Sequence, residues 1–198
     1  MDWDLYAEMF DLVGTGRIGD ALALGEAALV EVGPGRFEGL LGRPFTNDPV
    51  AVHGVIAGFV ASEDIRSTIA AVYVEMNGFT VNPDEWYASC FGYDTPPPSE
   101  LWEWLPDWTT RAADDLVLTG MEPIQAAFRE HHAHEEWNDP DRDTAAWCAE
   151  WLVIVRLVEL VDMALRVRPL DPAVPVLASA HGADRQARWD PPSYEIAT

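Results

Sequence analysis

The densest chemistry in this sequence lies between residues 131 and 150. His131, His132, His134, Glu135 and Glu136 crowd into one short run, and imidazole with carboxylate is a donor set that zinc, manganese and iron accept. On a helix His131 shares a face with His134 and with Glu135, whereas His132 points about 100° away and shares its face with Glu136. A metal-dependent enzyme would therefore use His131, His134 and Glu135 with a nearby Asp. No pairing reproduces the His-Glu-x-x-His, His-x-x-Glu-His or Glu-x-x-His spacings. Histidine near a helix C-terminus also complements the helix dipole with no metal at all. Proton transfer is the third use of such a cluster, because imidazole titrates near neutrality and a neighbouring carboxylate raises its pKa.

Asp139, Asp141, Asp143 and Glu150 follow at the acidic positions of an EF-hand calcium loop. Thr144 stands where that loop needs a glycine for its sharp turn, and residues 145–150 already read as helix. Aspartates that cap a helix and offset its positive N-terminal end account for the same spacing. Gly14-x-Gly16-x-x-Gly19 has the dinucleotide-binding spacing, which requires a strand before it. The preceding segment has helical periodicity instead, so these glycines are read as a helix connection. Ser62, Ser67, Ser89, Ser99, Ser179 and Ser193 lack a Gly-x-Ser-x-Gly frame, and Cys90 and Cys148 lack a protease signature near histidine. These motifs identify no reaction.

Charge carries more information. The 198 residues hold 34 Asp and Glu against 12 basic residues, all arginine, for a net charge of −22 and a pI near 4.2. The excess is uneven: −11 over residues 1–99, −10 over 100–150 and −1 over 151–198. Such a field repels phosphate backbones and favours cationic partners. Trp102 and Trp104, two residues apart, cannot both face inward on one helix, so one of them or Trp108 is expected at the surface. Exposed tryptophan beside carboxylates suits a docking surface for a basic protein. The expected partner site is Trp102, Trp104, Trp108, Glu135, Glu136, Asp139 and Asp141. The expected function is that of a non-enzymatic acidic binding protein engaging a basic protein partner, in the manner of an immunity protein or antitoxin. The alternatives are the metal-dependent enzyme above and an inhibitor that mimics nucleic acid with surface carboxylates. No cofactor is expected beyond a possible divalent metal, nor is direct contact with nucleic acid or membrane.

The elements that must position these residues read as one α+β domain, helix-dominated, with helices packed around a small antiparallel three-stranded meander. An apolar fraction of 48% and a mean hydropathy of −0.07 are those of a globular chain. Helical periodicity marks residues 3–13, 20–32 and 50–61, the last opened by Asp48 and Pro49. Thr119 and Glu122 have capping-box spacing for a helix running to about Glu136. Asp141 or Asp143 opens a final long helix that stops before Pro169. The meander comprises 69–76, a type I′ turn at Asn77-Gly78, 79–81, a second turn at 82–84, and 86–93. The Pro-rich stretch at 94–98 is expected to cross the surface, 174–177 to add a possible strand, and 190–198 to fray. An acidic Met1-Asp2-Trp3-Asp4 opening and two separated cysteines suggest a cytoplasmic protein.

Overall fold

The computed structural model describes residues 3–62, 64–66, 68–79, 84–95, 102–183, 185–191 and 194–196. Two helices, α1 (Trp3–Gly14) and α2 (Ile18–Val32), form a hairpin whose turn passes through Gly16 at φ 75°. A 3-10 turn (Gly35–Leu40) leads to α3 (Pro49–Val60), which Asp48 caps by accepting the Val50 N–H at 3.0 Å. Strands β1 (Ala71–Met76) and β2 (Tyr87–Tyr93) follow, then a 3-10 turn (Trp102–Asp107) and the two short strands β3 (Thr110–Arg111) and β4 (Leu116–Val117). Helix α4 (Glu122–Ala133), a 3-10 turn (Glu136–Asn138) and α5 (Pro140–Leu165) come next. The described chain closes with β5 (Val176–Ala180), β6 (Ala187–Asp190) and β7 (Glu195–Ile196).

Among the described residues the strands form one mixed sheet of seven, ordered β3-β2-β1-β5-β6-β7, with β4 also pairing β2. This corrects the three-stranded antiparallel meander. Strand β1 does pair antiparallel with β2, from Ala71 opposite Tyr93 to Met76 opposite Ala88, but its other edge pairs parallel with β5. The type I′ hairpin at Asn77-Gly78 does not form. The Asn77 side chain instead accepts the Tyr87 N–H (2.8 Å) and donates to the Glu85 carbonyl (3.2 Å), while its backbone N–H donates to Tyr87 O (3.0 Å). A polar residue that satisfies the far strand's start closes a longer connection and leaves no register for a strand beginning at Phe79. Phe79 turns into the core, with its ring centroid 5.4 Å from Trp86 and 5.1 Å from Phe128. The rest of the expected second strand, at 80–81, and the prolines at 96–98 lie outside the described residues. Tyr194, within the stretch expected to fray, is buried, and β7 pairs with β6.

Two helix starts also differ from the sequence reading. Thr119 does not cap α4, because it is engaged with the segment before α3: Thr46 N–H donates to its carbonyl (2.8 Å), its own N–H donates to Asn47 Oδ1 (2.9 Å), and the two threonine hydroxyls meet at 3.0 Å. Asp139, rather than Asp141 or Asp143, caps α5, its Oδ1 accepting from Asp141 N (3.1 Å) and Arg142 N (3.4 Å), with Pro140 in the first turn.

One face of the sheet packs on the helices, through Val72, Val74, Met76, Val176, Ala178 and Ala180. The other carries Tyr73, Tyr93 and Leu177, with Phe91 and Leu105 against them. Helix α5 runs through the middle of the helical layer, and every residue from Trp151 to Val158 is buried. Among the described residues no helix is long and apolar enough to cross a membrane.

Because the Asn77 side chain joins β1 to the start of β2 from a site only 7% exposed, Asn77→Ala removes two part-buried hydrogen bonds from that connection. It should destabilise the protein by about 2 kcal/mol. Urea unfolding of the variant checks this, and an unchanged midpoint would show that the connection does not depend on Asn77.

Candidate functional site

The segment richest in His, Glu and Asp folds into the mouth of a helical hairpin. Spacing along α4 puts Phe128, His131 and His132 on the side facing α5, and spacing along α5 puts Asp143, Ala146, Trp147 and Glu150 on the side facing α4. Glu135, at φ 53°, takes the left-handed conformation that ends α4 and turns the chain. The 3-10 turn after it carries Trp137 to the rim, where its ring lies 5.6 Å from His132 and remains 46% exposed. These walls enclose a cleft of about 390 Å³, within the size range of ligand-binding clefts.

The polar groups of the two walls do not meet. His131 is 3% exposed, and neither its Nδ1 nor the Nε2 of His132 has a hydrogen-bond partner. The nearest carboxylate oxygen to His131 Nδ1 is Glu136 Oε2 at 3.5 Å, too long for a good hydrogen bond. Burial, then the neighbouring His131, lowers the His132 pKa below the ordinary imidazole value. On the opposite wall Asp143 accepts the Trp147 indole N–H at 3.2 Å. Among the described residues Glu150 has neither a hydrogen-bonding nor an ionic partner. Burial, and secondarily the Asp143 charge, pushes its carboxyl up to about 7.

Glu136 has the opposite environment. It is 6% exposed, yet Arg36 Nε reaches both its oxygens (3.1 and 3.0 Å) and Arg142 Nη1 lies 2.6 Å from Oε1. The Arg36 hydrogen bond holds this carboxyl below the usual carboxylate range. The arrangement closes a second cavity of about 380 Å³ on the far side of His131, walled by the Gly33 to Phe37 turn and by Asp141.

The structure separates the residues expected to bind metal. His131 points inward, while the His134 side chain is 57% exposed with Nδ1 2.8 Å from the Glu130 carbonyl, and Glu135 is exposed. Among the described residues no three His, Cys, Asp or Glu side chains stand where they could hold a metal ion. The expected partner residues divide as well. Glu135, Glu136, Asp139 and Asp141 do gather at the α4–α5 junction, but Glu136 is consumed by its two arginines and Asp139 by the α5 cap. Trp108 is 46% exposed and lies 5.6 Å from Phe91, on the sheet face turned away from the helices. The side chains of Trp102 and Trp104 lie outside the described residues.

Glu150 and Trp137 were not among the expected site residues. The signal for Glu150 was present in the sequence, since Asp143, Trp147 and Glu150 at i, i+4 and i+7 place two acids and an indole on one helix face, whereas Trp137, on the 3-10 turn, has no such periodicity. The other histidines are committed elsewhere: His53 Nδ1 to the Ala164 carbonyl (3.1 Å), and His181 Nδ1 to Glu75 Oε1 (2.9 Å) at the adjoining ends of β1 and β5. No protein-family profile, no characterised protein and no solved structure matches this chain.

The Glu150 environment has a pH signature. Its folded pKa of about 7 lies above the ordinary value of 4.5, so between those two values only the unfolded chain ionises the group. Stability is therefore greatest below that window, falls as pH rises through it, and stays reduced above it. Glu150→Gln removes the penalty and should stabilise the protein by about 2 to 3 kcal/mol at pH 8 and by almost nothing at pH 4. Urea unfolding of both proteins at the two pH values measures it, and equal effects at both would show that Glu150 is well solvated.

Proposed function

We propose that this chain is a non-catalytic acidic binding protein of the cytoplasm that engages a basic protein, in the manner of an immunity protein or antitoxin. The observation that carries this reading is how the arginines are used. Ten of the twelve form ion pairs with carboxylates of the same chain. The other two, Arg43 and Arg168, hydrogen-bond to carbonyls of the 39–43 and 120 segments and to His53 Nε2. Every arginine is thus already engaged, while the chain carries 34 acids against those 12 cations. Around the α4–α5 junction Glu135 and Asp141 are exposed beside the half-exposed Trp137. Carboxylates that steer and an aromatic that anchors are the parts of a surface for a cationic partner.

The test is capture of a partner, followed by measurement of its affinity for the purified protein. A basic protein is expected, bound more weakly as salt rises, with affinity lowered at least about tenfold by combined reversal of Glu135 and Asp141 to Lys. Reversal of Asp171, in the nearly neutral C-terminal quarter, should leave it unchanged. Affinity indifferent to salt and to the junction reversal would refute the reading.

A further inference from the structure

We propose that the cleft between α4 and α5 receives a guanidinium group, an arginine side chain presented by the partner. The inference rests on the binding-protein reading for who presents the arginine, and on the cleft itself for what it takes. One wall offers the Asp143 and Glu150 carboxyls. The other offers the His132 imidazole, whose Nε2 is buried with no hydrogen-bond partner among the described residues, beside the ring of His131, whose Nδ1 turns toward Glu136. No ion pair within 4.0 Å joins the two walls among the described residues, although one carries acids and the other histidines. They face each other across space rather than satisfying each other.

The chemistry of that space selects its occupant. Ionised carboxylates only accept hydrogen bonds, and with two of them on one wall the cleft calls for a donor-rich cation. The protein cannot supply one itself, because its arginines are all engaged elsewhere. Trp137 at the rim and Trp147 and Phe128 within add aromatic faces, on which a planar cation stacks. A guanidinium meets all three demands with five donors, a flat face and a fixed charge. An ammonium has three donors and no plane to stack. A volume of about 390 Å³ leaves room for the side chain and part of its backbone.

Uptake should also be coupled to protonation. Glu150 is faced by Asp143 and Trp147 of its own helix, by His131 and His132 of α4, and by Tyr6 of α1 and His181 across an adjoining space of about 80 Å³. None of these supplies it with a fixed positive charge. A guanidinium therefore binds the ionised form, and with the carboxyl near 7 affinity should rise about tenfold between pH 6 and pH 8.

The experiment is calorimetric titration of the whole protein with Nα-acetyl-arginine amide and, separately, Nα-acetyl-lysine amide. One-to-one uptake of the arginine amide is expected, at least about tenfold tighter than the lysine amide and with proton release at pH 6 to 7. Glu150→Gln and Trp137→Ala should each weaken it about tenfold or more, with circular dichroism confirming that both variants fold. No uptake, equal uptake of the lysine amide, or undiminished uptake by Glu150→Gln would overturn the inference. Failures at the two levels are distinguishable. A salt-sensitive basic partner that binds both variants as tightly as the parent overturns the cleft inference alone. Arginine amide uptake that vanishes in Glu150→Gln, with no basic protein captured, upholds the cleft and overturns the binding-protein reading.

Discussion

The burial of α5 on every side is the constraint from which the rest of this structure follows. A helix with eight consecutive buried residues, Trp151 to Val158, has no polar face to leave in water and must be enclosed. Helices α2 and α3, strand β5 and the turns flanking α4 enclose it. Each of several neighbours also answers a polar group of α5. Glu26 of α2 meets Arg156 at 2.7 Å, with Glu159 at 2.9 Å on the same guanidinium. His53 of α3 reaches the Ala164 carbonyl near the helix end, and Trp189 of β6 donates to Asp162 at 3.1 Å. Arg156 is 9% exposed, and a guanidinium so placed is tolerable only because both acids are there. The parallel β1–β5 pairing follows too, since the chain leaving α5 must return along the sheet that the helix covers.

Enclosure ends toward the N-terminal third of α5, and there the cleft opens. From Asp143 to Glu150 the helix buries Ala145, Ala146, Cys148 and Ala149 and leaves Asp143, Thr144, Trp147 and Glu150 partly exposed. Helix α4 approaches it but the 3-10 turn at 136–138 holds the two apart. Glu150 stands at the last turn before full burial, where water is already scarce but no neighbouring element brings a cation. The arginines show the same division. They serve junctions that must hold, as Arg36 and Arg142 do around Glu136, and none reaches into the cleft.

Much of this was legible in the sequence, and what was not has physical reasons. The helices at 3–14, 18–32, 49–60, 122–133 and 140–165 could be read because apolar periodicity and proline near the first turn are local signals. Strands β1 and β2 could be read for the same reason. The strand expected at 174–177 overlaps β5 (Val176–Ala180), but its parallel pairing with a strand about a hundred residues earlier has no local signal. Asn77-Gly78 misled because the dipeptide fits a tight turn, whereas the asparagine side chain was needed for Glu85 and Tyr87. Thr119 misled because its hydroxyl and backbone were claimed by Thr46 and Asn47, a contact across more than seventy residues. At the site, the cluster of His, Glu and Asp marked the right segment. Which of its members are consumed by internal pairing depends on Arg36, a hundred residues away, and periodicity carries no trace of that.

Glu136 and Glu150 show why the cleft, rather than the charge cluster as a whole, is the place to assign function. Both are carboxyls withdrawn from water at the same helical junction. Two arginines and the resulting depressed pKa make Glu136 part of the frame. Glu150 has the raised pKa of a group that the fold shelters without compensating. Such a residue lowers stability near neutral pH, where glutamine would serve packing as well, so its charge contributes nothing to the fold that holds it. A charge that does not serve the fold is best explained by something that comes from outside. The acceptor lining and aromatic faces around Glu150 restrict that visitor to a donor-rich cation, while the overall charge of −22 draws such a cation from a distance.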